Sequence, residues 1–531
     1  MDLHTAGHSR GVACAPHSAA VEAGQAMLGE GGNAIEAMLA MSAAIAVVYP
    51  HMNGIGGDGF WLIREPSGRI RALMAAGAAG SLARPALYRE AGYDAIPARG
   101  PLAALTVPGA ISGWMLALEA AKAQGGRLPL SDLLGPAIRL AAQGFPISRG
   151  QVTCSANAAA ELKDVPGFAE TFLRDGKPPA PGTVFQQTAL AATLDQLAHA
   201  GLADFYRGDV ARELAAELEQ LGSPVTRADL ERCRAVLAEP LSVSLSVGTA
   251  YNTPLPTQGI VSLIILELFE RLAVKEPDSF EHVHGLVEAT KRALAVRERY
   301  VTDPARQPEP PGRYLSGAYL DALARTIDPR KATPARLPQA AGDTIWMGAA
   351  DASGLVVSYI QSIYWEYGSG VVLPKTGVLM QNRGTSFSLD PNSLNALEPG
   401  RLPLHTLNPA LAVLRDGRVV AYGCMGGDAQ PQIQAALFTR HILFRTPLDV
   451  TLDRPRWLYG RTWGAEHGSL LVESRLDGNL IDRLLAAGHD VVPLAEPYAG
   501  AMGHAGAVVL HPDGTLEGAH DPRADGGAAG L

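Results

Sequence analysis

Two hydroxyl side chains and one glycine pair stand where chemistry could begin. In "GDTIWMGAADASGLVVSYIQS", residues 342–362, a period-two pattern runs on both sides of Asp351-Ala352-Ser353-Gly354, which reads as a β-hairpin. Counting back from the turn sets Thr344 opposite Gln361, or opposite Ser362 if the loop is one residue longer. In the second register two hydroxyls are neighbours, and a hydroxyl activated by an adjacent base is a nucleophile for acyl transfer. Threonine is also an ordinary strand residue, so the hairpin alone assigns it no role. "MGGDAQPQ" carries Gly426 and Gly427. Glycine lets main chain approach a reacting carbonyl closely, and two N–H groups can hold an oxyanion, although a Gly-Gly pair by itself is more often a turn.

The elements that must position these residues fall into two regions. An Ala-rich helix is expected along "GQAMLGEGGNAIEAMLAMSAAIAVV", followed by the glycine-dense "PHMNGIGGDGF" and the strands "WLIREPSG" and "RIRALMAAG". From about 110 to 330 the spacing is mostly helical, with caps and breaks at Ser131, Gly144 and Pro146. Residues 331–343, "KATPARLPQAAGD", have the composition of an exposed linker. Strands follow in "TIWMGAA", "GLVVSYIQS", "GVLMQNR", "ALAVLRDGRVVAYGCMGG" and "GAVVLHPDGTLEGA", and the tail "ADGGAAGL" reads as a mobile end. Strands after a helical region predict an α+β layered architecture.

Composition limits the function classes. The 531 residues are 47% hydrophobic and 18% charged, with a net charge of −9 and no basic run suited to nucleic acid or an anionic membrane. The first twenty residues lack the pattern of an export signal, and "AIEAMLAMSAAIAVVYP" is too short and too interrupted to span a bilayer, so a cytoplasmic location is expected. Cys14, Cys154, Cys233 and Cys424 have no paired spacing, and neither a disulfide framework, a metal nor a cofactor is expected. The glycines from Gly54 to Gly59 match a phosphate loop only superficially, since they follow a helical segment and open no helix.

In order and spacing, "GGNAIEAMLAMSAAIAVVYPHMNGIGGDGF", "LTVPGAISGW", "TPLPTQGI", "EATKRALAVRERYVTDP", "DTIWMGAADASGLVVS", "LHTLNPALAV" and "MGGDAQPQ" resemble the γ-glutamyltransferase family of N-terminal-nucleophile hydrolases. The resemblance implies a four-layer αββα sandwich, made as a precursor that cuts itself between Asp343 and Thr344. Residues 1–343 would form a large subunit and 344–531 a small one, together one structural domain. The freed α-amine, with an ordinary pKa of about 7.7–8.0, would serve as base for the Thr344 hydroxyl. Ser362 matches the family's second hydroxyl, and Gly426 and Gly427 match its oxyanion hole. The implied partner is the chain's own cleaved fragment, and a dimer of such pairs is the expected assembly.

The pattern also departs from the glutamyl-transferring members. Their Arg-Glu pair falls on Ala76 and Gly77, and their substrate-holding Asn and Asp fall on Tyr364 and Ser386. Without that Asp a substrate ammonium has no counter-charge, and an unpaired buried charge is costly. Bulky Trp346, Tyr364 and Trp365 and one cation, Arg383, are expected around a shrunken site, with His405 and Thr406 in place of paired serines and Asp428 also facing substrate. A guanidinium seats a carboxylate bidentately. This resembles the family's non-glutamyl branch and implies a small carboxylated amide, oxamate fitting best. Larger amides, γ-glutamyl or acyl, and a non-catalytic binding role are the alternatives.

Overall fold

The computed structural model describes residues 1–334, 342–460 and 468–531. Two antiparallel seven-stranded sheets form its centre. The first runs in the order Gly527–Gly530, Gly11–Ala15, Asp343–Asp351, Val356–Tyr364, Asp58–Arg64, Ile70–Ala75 and Val236–Ala238. The second runs His4–His8, Leu516–His520, Ala505–Leu510, Val419–Cys424, Ala410–Leu414, Gly248–Asn252 and Leu241–Leu245.

The alternation of side chains along each strand builds four layers. Trp346, Ile360, Phe60 and Leu62 point from the first sheet toward Leu411, Ala421 and Val508 of the second, forming the core between the sheets. Their neighbours Ile345, Met347, Val357, Tyr359 and Trp61 face the other way, onto the helices Ser18–Gly29 and Ala34–Val48. Beyond the second sheet, Ala410, Ala412, Val420 and Tyr422 pack on Gly259–Leu272, Phe280–Tyr300 and Gln430–Leu437. The α+β sandwich expected from the sequence is therefore the fold.

Several local expectations change. The first long helix is two, because Gly31 takes φ +85° and Asn33 starts a new helix with a capping box closed by Glu36. Every residue of Ala34–Val48 is buried, as expected, and no helix among the described residues is long and apolar enough to cross a membrane. "GVLMQNR" forms no strand; it wraps the glycine loop, with Gln381 N–H donating to Gly56 O, and ends in the short 3-10 helix Arg383–Ser386. The tail is not a loose end. Gly527–Gly530 pairs with Gly11–Ala15, and its glycines are there for closeness: a Cβ on Gly526 would lie 2.0 Å from the Ala15 carbonyl oxygen. Of the expected linker, residues 335–341 lie outside the described residues. The four cysteines form no disulfide.

Candidate active site

The hairpin pairs Ala350 with Val356 and continues in register to Ile345 with Gln361, then slips, so that Asp343 pairs with Tyr364. The bulge sets Ser362 and Ile363 of the second strand against Thr344 alone, and extending the regular register places Thr344 opposite Ser362, the second of the two alignments expected. A bulge bends a strand and re-aims a side chain, which is why bulges gather beside reactive groups. Both hydroxyl residues are buried. Ser362 Oγ accepts a hydrogen bond of 2.8 Å from the Tyr364 N–H, and that bond helps hold Tyr364 at φ +82°, a conformation costly for an aromatic residue.

Beneath this corner lies the glycine loop. A Cβ on Gly57 would stand 2.0 Å from Ser362 O, and one on Gly56 the same distance from Leu379 O. Main chain packs on main chain there, and only glycine permits it.

Opposite, the strand Val419–Cys424 ends and the chain turns through Gly426 at φ +112° and Gly427 at φ +54°. A Cβ on Gly427 would meet the backbone of Gly342 at 3.0–3.3 Å, and a Cβ on Gly342 would meet the Tyr364 ring at 2.8 Å. The residue before Asp343 is thus threaded between the glycine turn and the tyrosine. Gln258 fixes the turn: its Nε2 donates to Gly427 O at 2.9 Å and to Thr406 O at 2.8 Å, while its Oε1 accepts from Arg297 at 3.0 Å. Arg297 also forms a buried two-pronged ion pair with Asp428, one prong measuring 3.2 Å. Burial opposes the charge on Arg297, but Asp428 and Glu298 more than offset this and raise its pKa. Asp428, expected to face substrate, is engaged by Arg297 instead and braces the glycine turn.

Arg383 is buried, with its guanidinium carbon 3.3 Å from the Tyr364 ring centroid. Its Nη1 donates to Thr406 Oγ1 at 3.2 Å, and its Nε and Nη2 have no hydrogen-bond partner of good geometry among the described residues. Burial lowers its pKa from the ordinary guanidinium value, with Tyr364, Asp58 and Asp428 acting the other way. Two donors of a dry cation left unpaired are costly, and an anion placed against them removes that cost.

Next to Thr406, His405 is fully buried, its ring edge-on to Phe60 at 4.8 Å. Its Nε2 stands 3.1 Å from Asp58 Oδ2, at ion-pair distance but off the line of a straight hydrogen bond. Burial lowers the His405 pKa despite Asp58, which leaves the ring neutral near pH 7. Asp58 Oδ1 accepts from the N–H groups of Gly77 at 2.9 Å and Gly109 at 3.0 Å.

Thr344, Ser362, Tyr364, Arg383, Thr406 and Gly427 are joined by these contacts into one site. Other expected residues fall elsewhere. Trp346 lies buried in the core between the sheets, donating to Ser358 Oγ at 2.9 Å. Trp365 lies under the Arg99 guanidinium at 5.5 Å, and Ser386 turns its hydroxyl back to Arg383 O at 3.0 Å. At the positions of the missing Arg-Glu pair, Ala76 packs on the inter-sheet core, and Gly77 has no room for a side chain, since a Cβ would stand 1.4 Å from Val107 O. Sequence reasoning missed Asp58, Gln258 and Arg297, although all three lie in stretches that carried the resemblance. Those stretches drew attention to glycines and to overall order; a polar residue inside an apolar or glycine-rich run was the available signal.

A profile of the gamma-glutamyltranspeptidase family matches residues 20–531. The chain is 53% identical over 524 residues to an oxamate amidohydrolase proenzyme of Klebsiella pneumoniae subsp. pneumoniae, an alignment covering 98% of this chain and 99% of that one. It is 39% identical over 519 residues to a glutathione hydrolase-like YwrD proenzyme of Bacillus subtilis, covering 97% of each. Among solved structures, the cephalosporin acylase from Bacillus halodurans superposes with a TM-score of 0.91 at 31% identity, over 100% of this chain and 97% of that one.

Proposed function

The chain belongs to the gamma-glutamyltranspeptidase family of hydrolytic enzymes, and we propose that this amidohydrolase processes itself at Asp343–Thr344 and hydrolyses a small carboxylated amide, best matched by oxamate. The observation that carries the substrate reading is the buried Arg383 guanidinium beside Tyr364, with Nε and Nη2 unpartnered among the described residues. The relative named for oxamate, at 53% identity, supports it. Gly77, with no space for a side chain, speaks against a γ-glutamyl clamp.

In the maturation step, Thr344 Oγ attacks the Asp343 carbonyl carbon, the peptide C–N bond breaks and the Thr344 nitrogen takes a proton. Water then hydrolyses the resulting ester, leaving a carboxylate on Asp343 and a free amine on Thr344. Removal of the restraint at residue 343 frees the space between Gly427 and Tyr364.

In turnover, the substrate carboxylate sits on Arg383. The Thr344 amine, a base with an ordinary pKa of about 7.7–8.0, takes the Oγ proton as Oγ bonds to the amide carbon. The N–H groups at Gly426 and Gly427 stabilise the oxyanion, a contribution of about 2.7–4 kcal/mol per donor in comparable sites. The C–N bond breaks, the ammonium returns its proton and ammonia leaves. Water, activated by the same amine, releases oxalate and restores Thr344.

Ammonia release from oxamate, compared with p-nitroaniline release from a γ-glutamyl anilide, tests the reading. Oxamate turnover without anilide turnover is expected, and the opposite result refutes the substrate. Sizing of the processed protein tests whether two such pairs associate.

A further inference from the structure

Asp58 is a buried carboxylate to which the maturation and turnover steps give no role. Two backbone N–H groups, of Gly77 and Gly109, fix its Oδ1, so the group cannot turn away, and Oδ2 is presented to His405 Nε2 at 3.1 Å. Among the described residues His405 Nδ1, fully buried, has neither a hydrogen-bond nor an ion-pair partner, whereas Nε2 has Asp58 at ion-pair distance though off the line of a straight hydrogen bond. The next residue, Thr406, accepts from Arg383. A dry carboxylate attracts a ring N–H and repels a lone pair, and the nitrogen that carries the proton decides what the other can do.

We propose that Asp58 is a positioning residue that holds His405 as its Nε2–H tautomer, and that the Nδ1 lone pair accepts an N–H of the substrate carboxamide while Arg383 holds the carboxylate. The site would then select a primary amide over an ester of the same acid. This inference rests on the small-carboxylated-amide reading above. It adds no covalent step: the donated N–H leaves with the ammonia.

The test is Asp58→Asn. The Asn carbonyl oxygen still accepts from Gly77 and Gly109, while its amide now donates toward His405 and favours the opposite tautomer, with Nδ1 protonated. Rates are compared for oxamate and monoethyl oxalate, which keeps the carboxylate and the reacting carbonyl but has no N–H. The ratio of kcat/KM for oxamate to that for the ester is expected to fall about 10–100-fold, by analogy with loss of the carboxylate that orients a metal-bound imidazole. The fall should come mainly from KM for oxamate. Because it is a ratio, it does not depend on the fraction of protein folded or processed, which a merely structural role would change.

An unchanged ratio overturns the inference alone. Failure of the unaltered enzyme to release ammonia from oxamate overturns the substrate reading and this inference with it. If Asp58→Asn does not fold, the 15N shifts of His405 in the unaltered enzyme decide: Nε2–H is expected, and Nδ1–H overturns the proposal.

Discussion

The guanidinium carbon of Arg383 sits over the Tyr364 ring, 3.3 Å from its centroid, and Tyr364 in turn holds a left-handed φ of +82°. The ring contact and the hydrogen bond to Thr406 pre-position the charge, and among the described residues Nε and Nη2 have no further partner of good geometry. A rigid, partly unpaired fork is the arrangement that binds a planar carboxylate with little loss of side-chain freedom. Arg383→Ala is therefore expected to lower kcat/KM for oxamate by about 10–100-fold, corresponding to roughly 1.5–3 kcal/mol of charge-assisted hydrogen bonding. Arg383→Lys should restore only part, because an ammonium neither stacks nor forks in the same way. Self-cleavage should be normal in both variants, and steady-state ammonia release beside gel electrophoresis reads both. Unchanged oxamate turnover in Arg383→Ala would remove the anchor.

The glycine turn gives the second prediction. Gly427 combines a positive φ with close packing on Gly342. Gly427→Ala should slow both maturation and turnover, the latter by about 100–1000-fold if an oxyanion donor is displaced. A time course of precursor conversion, followed by assay of whatever mature enzyme forms, separates the two effects.

The Arg297–Asp428 pair concerns stability. Arg297→Met leaves a buried carboxylate uncompensated and should destabilise the protein by about 3–5 kcal/mol, whereas Arg297→Met combined with Asp428→Leu should recover much of that loss. Denaturant unfolding measures both. Equal destabilisation in the single and double variants would show that the ion pair is not what the site relies on.

Much of the architecture was legible before any coordinates. Period-two patterning located both strands of the hairpin, and the turn residues set Thr344 within one position of Ser362. What was not legible depended on contacts between distant segments. The helix break at Gly31 and Asn33 lay within an Ala-rich run whose apolar pattern masked the turn. The glycine-rich tail was misread because low complexity suggests mobility, whereas here small residues permit close pairing with Gly11–Ala15. Arg297 and Asp428 are 131 residues apart in sequence, and Asp58 opens a strand of the first sheet while His405 lies in the loop before the strand Ala410–Leu414 of the second, so neither pairing has a local signal. Trp346 is expected around the site from its place in the sequence, and the structure uses its indole for packing between the two sheets, a long-range contact that local patterning does not reveal.

A buried group of histidines predicts the acid response. His17 is lowered to about 4, and His51 and His520 to about 3, burial being the main cause in each case. Unfolded imidazoles titrate near 6.5, so between that value and the folded ones the unfolded chain binds the extra protons. The stability contributed by these neutral rings is complete above about pH 6.5 and is lost as pH falls toward 4 and then 3. Urea midpoints at pH 7.5, 6 and 5 should decline in that order, and His51→Leu should flatten the decline. A midpoint that rises on acidification would contradict the assignment.

The central claim is that one peptide bond breaks to make the nucleophile. Intact mass spectrometry of purified protein should give two polypeptides, one of 343 residues and the other of the remaining 188, with the smaller beginning Thr344-Ile345-Trp346-Met347. Thr344→Ala should give a single chain of 531 residues. An unaltered protein that stays whole while hydrolysing oxamate, or a smaller fragment that begins at any other residue, would contradict the account.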